Sequence, residues 1–293
     1  MENLKAIRER IKTIDSIIKA TNAMKMVSNV KLTRVNNINK HSKECSEILF
    51  DMFKRATTEL LYEQNNEYWF SNKVSHNDKP LIIVLSVDQG FCGAFQQAIQ
   101  NKAKEIISTT KNAYVETFGK KSDSLANANL MTSLKNSHYD ISANAKSLTE
   151  LVSRYVKEFF VSDVYIVSGE FKSVLVQKAQ CKKIYSNLSE TNKDGHKEAI
   201  ILDKLEKTPY SSIEGNEEDF INELFDMYLQ KLFSGILTEH LVSELSARVM
   251  AMDNSVRNAK NMYEKLSGLY NKVRQAKITQ ELTEIVASIE CVQ

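Results

Sequence analysis

The chain has 293 residues, and its 39 lysines and arginines nearly balance 37 aspartates and glutamates, so the formal net charge is +2. Its apolar content of 42% is sufficient for a folded core, and eight glycines with two prolines favour long regular elements over loops. The longest aliphatic run, Leu81–Leu85, is too short to span a bilayer, and a charged N-terminus argues against a signal peptide. Four widely spaced cysteines form no CxxC pair, which indicates reduced thiols and no paired-cysteine metal site.

A long helix is predicted from the N-terminus to about Leu61. Its apolar residues first step by three and four positions, as in a coiled-coil seam: Leu4, Ile7, Ile11, Ile14 and Ile18. Thr21 interrupts this stripe, and we expect it to resume less regularly through Met24, Val27, Leu32, Val35 and Ile38. Residues 1–43 carry ten basic and three acidic side chains. Such a charge concentration fits either a solvated helix face or a surface that binds an acidic protein partner or a nucleic-acid phosphate backbone.

The central part of the chain predicts an α/β domain. Residues 62–80 are polar and end in proline, which is typical of a linker. The continuous run Leu81–Val87 predicts a strand buried on both faces, followed by a turn and a helical pattern over about 94–107. Ala113–Phe118 predicts a second strand, parallel to the first because a helix connects them.

Further along, Leu148–Phe160 predicts a helix, and Val164–Ser168 and Ser173–Ile184 predict strands joined as a hairpin through Gly169–Phe171. Strands alternating with helices indicate a Rossmann-like domain over residues 81–208. Residues 122–145 and 186–208 match no recognised pattern, and the order of the strands in the sheet does not follow from the sequence.

The last part of the chain, residues 209–293, predicts a second long helix. Beyond Asn216 there is no proline, and apolar residues recur at three- and four-residue steps from Leu241 to Ala276. About 75 helical residues make a rod of roughly 110 Å, which needs a partner helix to bury its stripe. We therefore predict a long antiparallel coiled coil of the helices in 1–61 and 209–293, with the α/β domain between them. Residues 248–277 add seven basic side chains against two acidic ones.

The sequence shows little evidence of catalytic chemistry. The turn Asp88–Gly93 lacks GxGxxG spacing, so a tight strand-to-helix turn is favoured over a phosphate cradle. Gly119–Ser122 lacks the first glycine of a phosphate loop, and Cys92 has no marked base, so it is interpreted as a packing residue. The five histidines are scattered and suggest neither a metal site nor a triad. We therefore expect no catalytic residue, no cofactor and no metal.

Both ends of the chain carry recognisable sequence motifs, at Ala23–Val27, Lys31–Leu32, Arg248–Asn254, Asn258–Ala259 and Tyr270–Val286. Together these stretches resemble the gamma subunit of F-type ATP synthase. The Ile-Thr-x-Glu-x-x-Glu core of that family runs here from Ile278 to Glu284. The turn at Asp88 is also similar, with Gln89 where arginine is common, whereas Ser288 and Ile289 depart from the family's glycine and alanine. The resemblance covers effectively the whole chain.

The resemblance implies a non-catalytic rotor subunit that couples proton flow through a membrane c-subunit ring to ATP synthesis or hydrolysis in an alpha/beta hexamer. The coiled coil would lie inside the hexamer, and the central domain would contact the epsilon subunit and the c-ring. The positions carried over as hexamer-facing are Met24, Lys25, Arg274, Gln275 and Thr279. Tyr210 and Glu214 would belong to the foot on the c-ring, and Ile285–Val292 would turn in an apolar collar. The complex would place the chain at the cytoplasmic face of a bacterial inner membrane.

Two other classes of protein compete with this interpretation. A coiled-coil arm that grips nucleic acid predicts aromatic residues interleaved with basic ones, and the arm here has few aromatics. An α/β enzyme with a dimerising coil predicts a phosphate loop or an acid–base set, and the sequence shows neither.

Overall fold

The computed structural model describes residues 4–63, 79–110, 112–121, 130–134, 140–159, 161–186 and 217–290. They form two compact units: residues 1–30 with 248–293, and residues 31–247. The boundary falls within two long helices, α1 (Leu4–Glu63) and α4 (Glu217–Glu290). Most of the predicted linker 62–80 and the start of 209–293 lie outside the described residues, so that domain division stays a prediction.

The first unit is a pair of antiparallel helices. Lys25 of α1 contacts Asp253 of α4, whereas Arg10 and Ile14, earlier in α1, line a groove with Met262 and other residues later in α4. The opposite chain directions confirm the predicted antiparallel coiled coil. On α4 the stripe is buried from Val249 to Ala259. Beyond it Met262 and Leu269 are exposed, whereas Leu266 and Val273 are partly buried.

The predicted continuation of the α1 seam through Met24 and Val27 is wrong. Both side chains are about half exposed, whereas Ser28 is buried. The reason is that the three- and four-residue steps from Ile18 continue without interruption through Thr21 and Lys25 to Ser28. The helix keeps its period and places polar residues in the seam, and the apolar residues of this stretch fall outside it.

The second unit contains a five-stranded sheet in the order β3-β2-β1-β4-β5. Its elements are β1 (Leu81–Leu85), α2 (Phe95–Thr109), β2 (Tyr114–Phe118), β3 (Leu130–Leu134), α3 (Ile141–Phe159), β4 (Asp163–Phe171) and β5 (Gln177–Ser186). The first four strands are parallel, and β5 pairs antiparallel with β4. The parallel pairing of the first two strands and the final hairpin are thus confirmed.

The side chains of β1 explain why its sequence is apolar throughout. Leu81, Ile83 and Leu85 point to one face of the sheet. There they pack in a cluster with Phe118, Leu148 and parts of α1 and α4. Ile82 and Val84 pack with α2 on the other face. Since successive strand residues point to opposite faces, a strand covered on both sides needs an uninterrupted apolar run.

Three details differ from the sequence prediction. Strand β3 was not predicted, because it is an edge strand in which polar and apolar residues do not alternate regularly. Helix α3 begins at Ile141 rather than Leu148, and the Asp140 carboxylate accepts a hydrogen bond from the N–H of Ala143 in its first turn. The hairpin turn lies at 172–176, since Gly169–Phe171 still pairs with β5.

Among the described residues, no helix contains a segment apolar enough to cross a membrane.

Candidate partner-binding surface on the helix pair

The helix pair exposes large apolar side chains that its own seam does not cover. On α1 these are Ile17, Met24, Met26, Val27 and Val30. On α4 they are Met262, Leu269, Ile278, Leu282, Ile285 and Val286. An isolated two-helix coil normally keeps its outer faces polar, and contiguous exposed apolar surface is typical of a protein interface. These faces therefore define the candidate site.

The apolar surface includes a concave part. A groove of about 530 Å³ lies between the helices and is lined by Arg10, Thr13, Ile14, Met262, Lys265 and Leu266. The three- and four-residue spacing assigns Met262 to the apolar stripe of α4. Its side chain is nevertheless 56% exposed at the mouth of the groove. α1 covers the stripe of α4 only in part at this level, since Leu266 is half-buried while Met262 is exposed.

A charged centre joins the two helices beside the apolar faces. Lys25 Nζ donates to Asp253 Oδ1 over 2.5 Å, and Arg257 Nη2 lies 2.5 Å from Asp253 Oδ2. The hydrogen bonds from Lys25 and Arg257 lower the pKa of the Asp253 carboxyl. Of the predicted hexamer-facing residues, Lys25 is therefore engaged across the seam, while the adjacent Met24 is 49% exposed.

The remaining predicted contact residues lie on the exposed surface of α4. Arg274 and Gln275 are exposed, and so is Thr279, whose hydroxyl donates to the Gln275 carbonyl over 3.0 Å. The hydroxyl is thus directed to its own helix rather than outward. The structure brings these three together on one stretch of α4, far in sequence from the Asp253 centre. Their contact with a partner stays a prediction, and Tyr210, Glu214 and residues 291–292 lie outside the described part of the chain.

The second unit fills the place where a nucleotide would bind in a related α/β fold. In such sheets the ligand lies beyond the carboxyl ends of the strands where the strand order reverses, here between β1 and β4. At the end of β4, the Gly169 N–H donates to the Nδ1 of His240, a fully buried residue of α4, over 3.0 Å. A Cβ on Gly169 would come within 2.5 Å of the Phe95 ring. Side chains of α2 and α4 therefore occupy this crevice.

The turn after β1 has the geometry of a tight connection. The Asp88 carboxylate accepts a hydrogen bond from the Lys120 N–H, and Phe91 and Gly93 both have positive φ. Cys92 is buried against Phe95 and Ile99 in the sheet core, as the packing interpretation predicts. Within the described ranges, no group of three or more His, Cys, Asp or Glu residues is arranged to hold a metal ion.

Sequence reasoning missed the buried polar residues of α4. Residues Thr238–Ser246 include His240, Ser243 and Glu244, and all of these side chains are buried. The pattern contained one usable signal: Ser243 and Ser246 lie three residues apart on one side of the helix, and small side chains allow a helix to approach a sheet closely. Nothing in the spacing indicated that His240 bonds to Gly169, which lies 71 residues earlier in the chain.

A paired helical coil with uncovered apolar faces and an α/β domain whose ligand crevice is filled define a class of protein: a structural subunit that works through partners. Solved structures share this fold. The chain is similar to one in the Euglena gracilis mitochondrial ATP synthase OSCP/F1/c-ring structure, with a TM-score of 0.66, 14% identity and coverage of 99% of this chain and 94% of that one. It is also similar to one in the Tetrahymena thermophila central stalk and c-ring, with a TM-score of 0.55, 18% identity and coverage of 80% and 99%.

Sequence comparisons give the family. A family model described as ATP synthase matches residues 3–292. The chain is 30% identical to the ATP synthase gamma chain of Maricaulis maris, 27% to that of Campylobacter lari and 26% to that of Helicobacter pylori strain P12. These alignments cover 99% of both chains for the first two and all of both chains for the third. The chain belongs to the ATP synthase gamma-chain family.

Proposed function

We propose that this chain is the central-stalk rotor of an F-type ATP synthase. In this role it is itself non-catalytic and transmits rotation between a proton-driven c-subunit ring and the catalytic alpha/beta hexamer. The observation that carries the proposal is the 30% identity to a gamma chain over 99% of both sequences. Both ends and the middle of the chain therefore correspond to the same kind of subunit.

The geometry of the helix pair suits the transmission of torque. A rotating shaft must resist separation and sliding of its helices, and glycine or proline would weaken it. The apolar seam opposes separation, and the Lys25–Asp253 hydrogen bond fixes the register of the two helices. The uncovered faces around Met26 and Ile285 then supply the surface on which surrounding subunits bear.

The proposal assigns parts of the chain to individual partner subunits. Met24, Arg274, Gln275 and Thr279 are proposed to face the alpha/beta hexamer, with Lys25 acting first as a cross-helix partner. The second unit is proposed to contact the epsilon subunit and the c-ring, with Tyr210 and Glu214 in the foot. The complex would hold the chain at the cytoplasmic face of a bacterial inner membrane.

The test is co-purification of tagged full-length chain with alpha and beta subunits, followed by ATP hydrolysis measurements on the complex. Met26, on the exposed face, is changed to glutamine, and Ile7, in the buried seam, is changed to aspartate. We expect Met26→Gln to keep the helix content of the free chain and to weaken assembly, whereas Ile7→Asp should disrupt the coil itself.

Recovery of the wild-type chain without alpha and beta subunits, or micromolar ATP binding by the isolated chain, would contradict the proposal. Salt-sensitive retention on DNA or RNA with no retention of hexamer subunits would instead support the nucleic-acid alternative.

A further inference from the structure

The turn between β4 and β5 has an unusual composition. Val174, Leu175 and Val176 occupy the tip of the hairpin and are 44%, 72% and 44% exposed. Hairpin turns are normally built from glycine, asparagine, aspartate, serine or proline, whose backbones suit the bend and whose side chains tolerate water. Three consecutive exposed aliphatic residues at such a tip are therefore not required by the turn itself.

Hydrogen bonds hold this tip in one conformation. The Val176 N–H lies within hydrogen-bonding distance of both the Ser173 carbonyl and the Ser173 hydroxyl, and the Lys172 N–H donates to the Val176 carbonyl over 3.3 Å. The Gln177 side-chain amide donates to the carbonyls of Ser173 and Val174. A preorganised apolar tip loses little conformational entropy on binding, which favours a docking role.

The base of the hairpin is fixed to both long helices within the second unit. Phe171, the last residue of β4, packs against a cluster of Val35 from α1 with Leu241, Val242 and Leu245 from α4. Both helices pass, along the chain, into the residues of the first unit a few positions from these contacts. A force on the tip would therefore be transmitted to both helices through the contacts of Phe171.

Lysines outnumber carboxylates among the charged residues beside the tip. The Lys172 ammonium lies 3.6 Å from the Glu170 carboxylate, and Lys178 stands opposite Glu170 in the strand pairing. A second carboxylate, that of Glu239, accepts a hydrogen bond from the Phe171 N–H and lies 3.6 Å from the Lys182 ammonium, so three lysines stand against two carboxylates at the base of the tip. Positive potential around an apolar contact favours a partner surface that carries carboxylates at its edge.

We infer that the hairpin tip Lys172–Lys178 is a docking surface for the alpha/beta hexamer, which receives Leu175 in an apolar depression edged by carboxylates. This inference rests on the proposed function, because that function places the first unit inside the hexamer. The residues of α1 and α4 that hold Phe171 lie, in sequence, next to the helix segments proposed to enter it. Docking of the tip would add a contact with the hexamer to those proposed along the helix pair.

Hydrogen exchange on the full chain, alone and assembled with alpha and beta subunits, tests the location. We expect residues 172–178 to become protected on assembly together with exposed stretches of the helix pair. Protection of the helix pair with no change at 172–178 would overturn the docking surface and leave the proposed function standing. No protection in either place would overturn the proposed function itself.

Affinity measurements on immobilised alpha/beta hexamer test the chemistry. Leu175→Gln should weaken binding by about tenfold, because the burial of a leucine side chain is lost. Met227→Gln is the matched control, since Met227 is 53% exposed in the same unit but lies outside the hairpin; it should change affinity less than twofold. Equal affinity of Leu175→Gln and wild type would overturn the inference.

Charge variants and vesicles complete the test. Lys172→Glu with Lys178→Glu should slow association with the hexamer and reduce its dependence on salt. Binding of the wild-type chain to phosphatidylglycerol vesicles that Leu175→Gln abolishes would assign the tip to a membrane surface and overturn the docking on the hexamer. We expect equally weak vesicle binding by both chains.

Discussion

Lys25 and Asp253 join the two helices of the first unit through a hydrogen bond between the lysine Nζ and the carboxylate Oδ1, 2.5 Å long. Their side chains are 35% and 21% exposed, so the pair lies partly within the seam rather than on the outer surface. Thr21, Lys25 and Ser28 interrupt the apolar seam here. The ion pair therefore provides specificity of register at a level where α1 places polar residues in the seam.

The first prediction concerns the strength of this pair. In a double-mutant cycle with Lys25→Ala and Asp253→Ala, we expect a larger coupling free energy than in the cycle of Asp15→Ala and Lys19→Ala. The second pair lies within one helix and is 46% and 76% exposed, so water screens it more strongly. Urea unfolding of the full chain measures both cycles, and equal coupling would show that position in the seam has no effect.

The second prediction is a pH dependence of the helix pair. The folded chain holds the pKa of Asp253 below its ordinary value of 3.8, because Lys25 and Arg257 donate hydrogen bonds to the carboxylate. The stabilisation is therefore present above about pH 4 and is lost as the pH falls through the lowered pKa. Melting curves of wild type and Asp253→Asn should differ at pH 6 and converge in strong acid. A difference that stays constant with pH would contradict this linkage.

The third prediction contrasts two glycines. A Cβ on Gly169 would lie 2.5 Å from Phe95 Cζ and 3.1 Å from Ser243 Cβ, so Gly169→Ala should destabilise the chain by about 1–3 kcal/mol. Gly268 is in helix α4 with nothing within 4 Å of such a Cβ, and Gly268→Ala should stabilise it by up to about 1 kcal/mol. Denaturant unfolding gives both values. Adding Phe95→Leu should recover part of the Gly169→Ala loss, and failure to do so would place the strain elsewhere.

The fourth prediction concerns a buried hydrogen bond between β2 and α3. The Tyr155 hydroxyl donates to Glu116 Oε1 over 2.6 Å, and both side chains are buried. Burial and this bond to Glu116 raise the pKa of Tyr155, which keeps the hydroxyl a donor. Tyr155→Phe should cost about 1–3 kcal/mol, because a buried carboxylate loses a donor.

Tyr165→Phe is the matched control for this prediction, since the Tyr165 hydroxyl donates to Asp163 over a longer 3.4 Å in a partly buried site. Thermal unfolding measures both variants, and Tyr165→Phe should lower the free energy of unfolding by less than Tyr155→Phe. An equal or larger cost for Tyr165→Phe would show that the Tyr155–Glu116 bond contributes little.

The fifth prediction concerns Arg274 and Gln275, which are exposed on α4. Arginine can bind a carboxylate through two hydrogen bonds, and glutamine can donate or accept beside it. Replacing both with alanine should barely change stability, because alanine is the better helix former. It should lower ATP-driven rotation of the reconstituted complex. A double variant that assembles and turns at the wild-type rate would show that the two residues are a solvated helix face.

The sequence by itself determined the elements that depend on local periodicity. The three- and four-residue steps from Leu4 to Ile18 and from Leu241 onward predicted both long helices and their pairing, since an apolar stripe must be covered. The run at Leu81 predicted a strand buried on both faces for the same reason. The resemblance of both ends to gamma subunits gave the family, because those motifs are long and specific.

Only the tertiary structure decided which residues lie in the seam and in the crevice of the sheet. From its polarity, Met24 was expected in the seam and Ser28 was not. Continuous heptad spacing nevertheless buries Ser28, because the position of a residue on the helix outweighs the polarity of its side chain. The order of the strands, the edge strand β3 and the bond between His240 and Gly169 depend on contacts between residues far apart in the chain. Local patterns carry no information about such contacts, which are fixed when the sheet and α4 pack together.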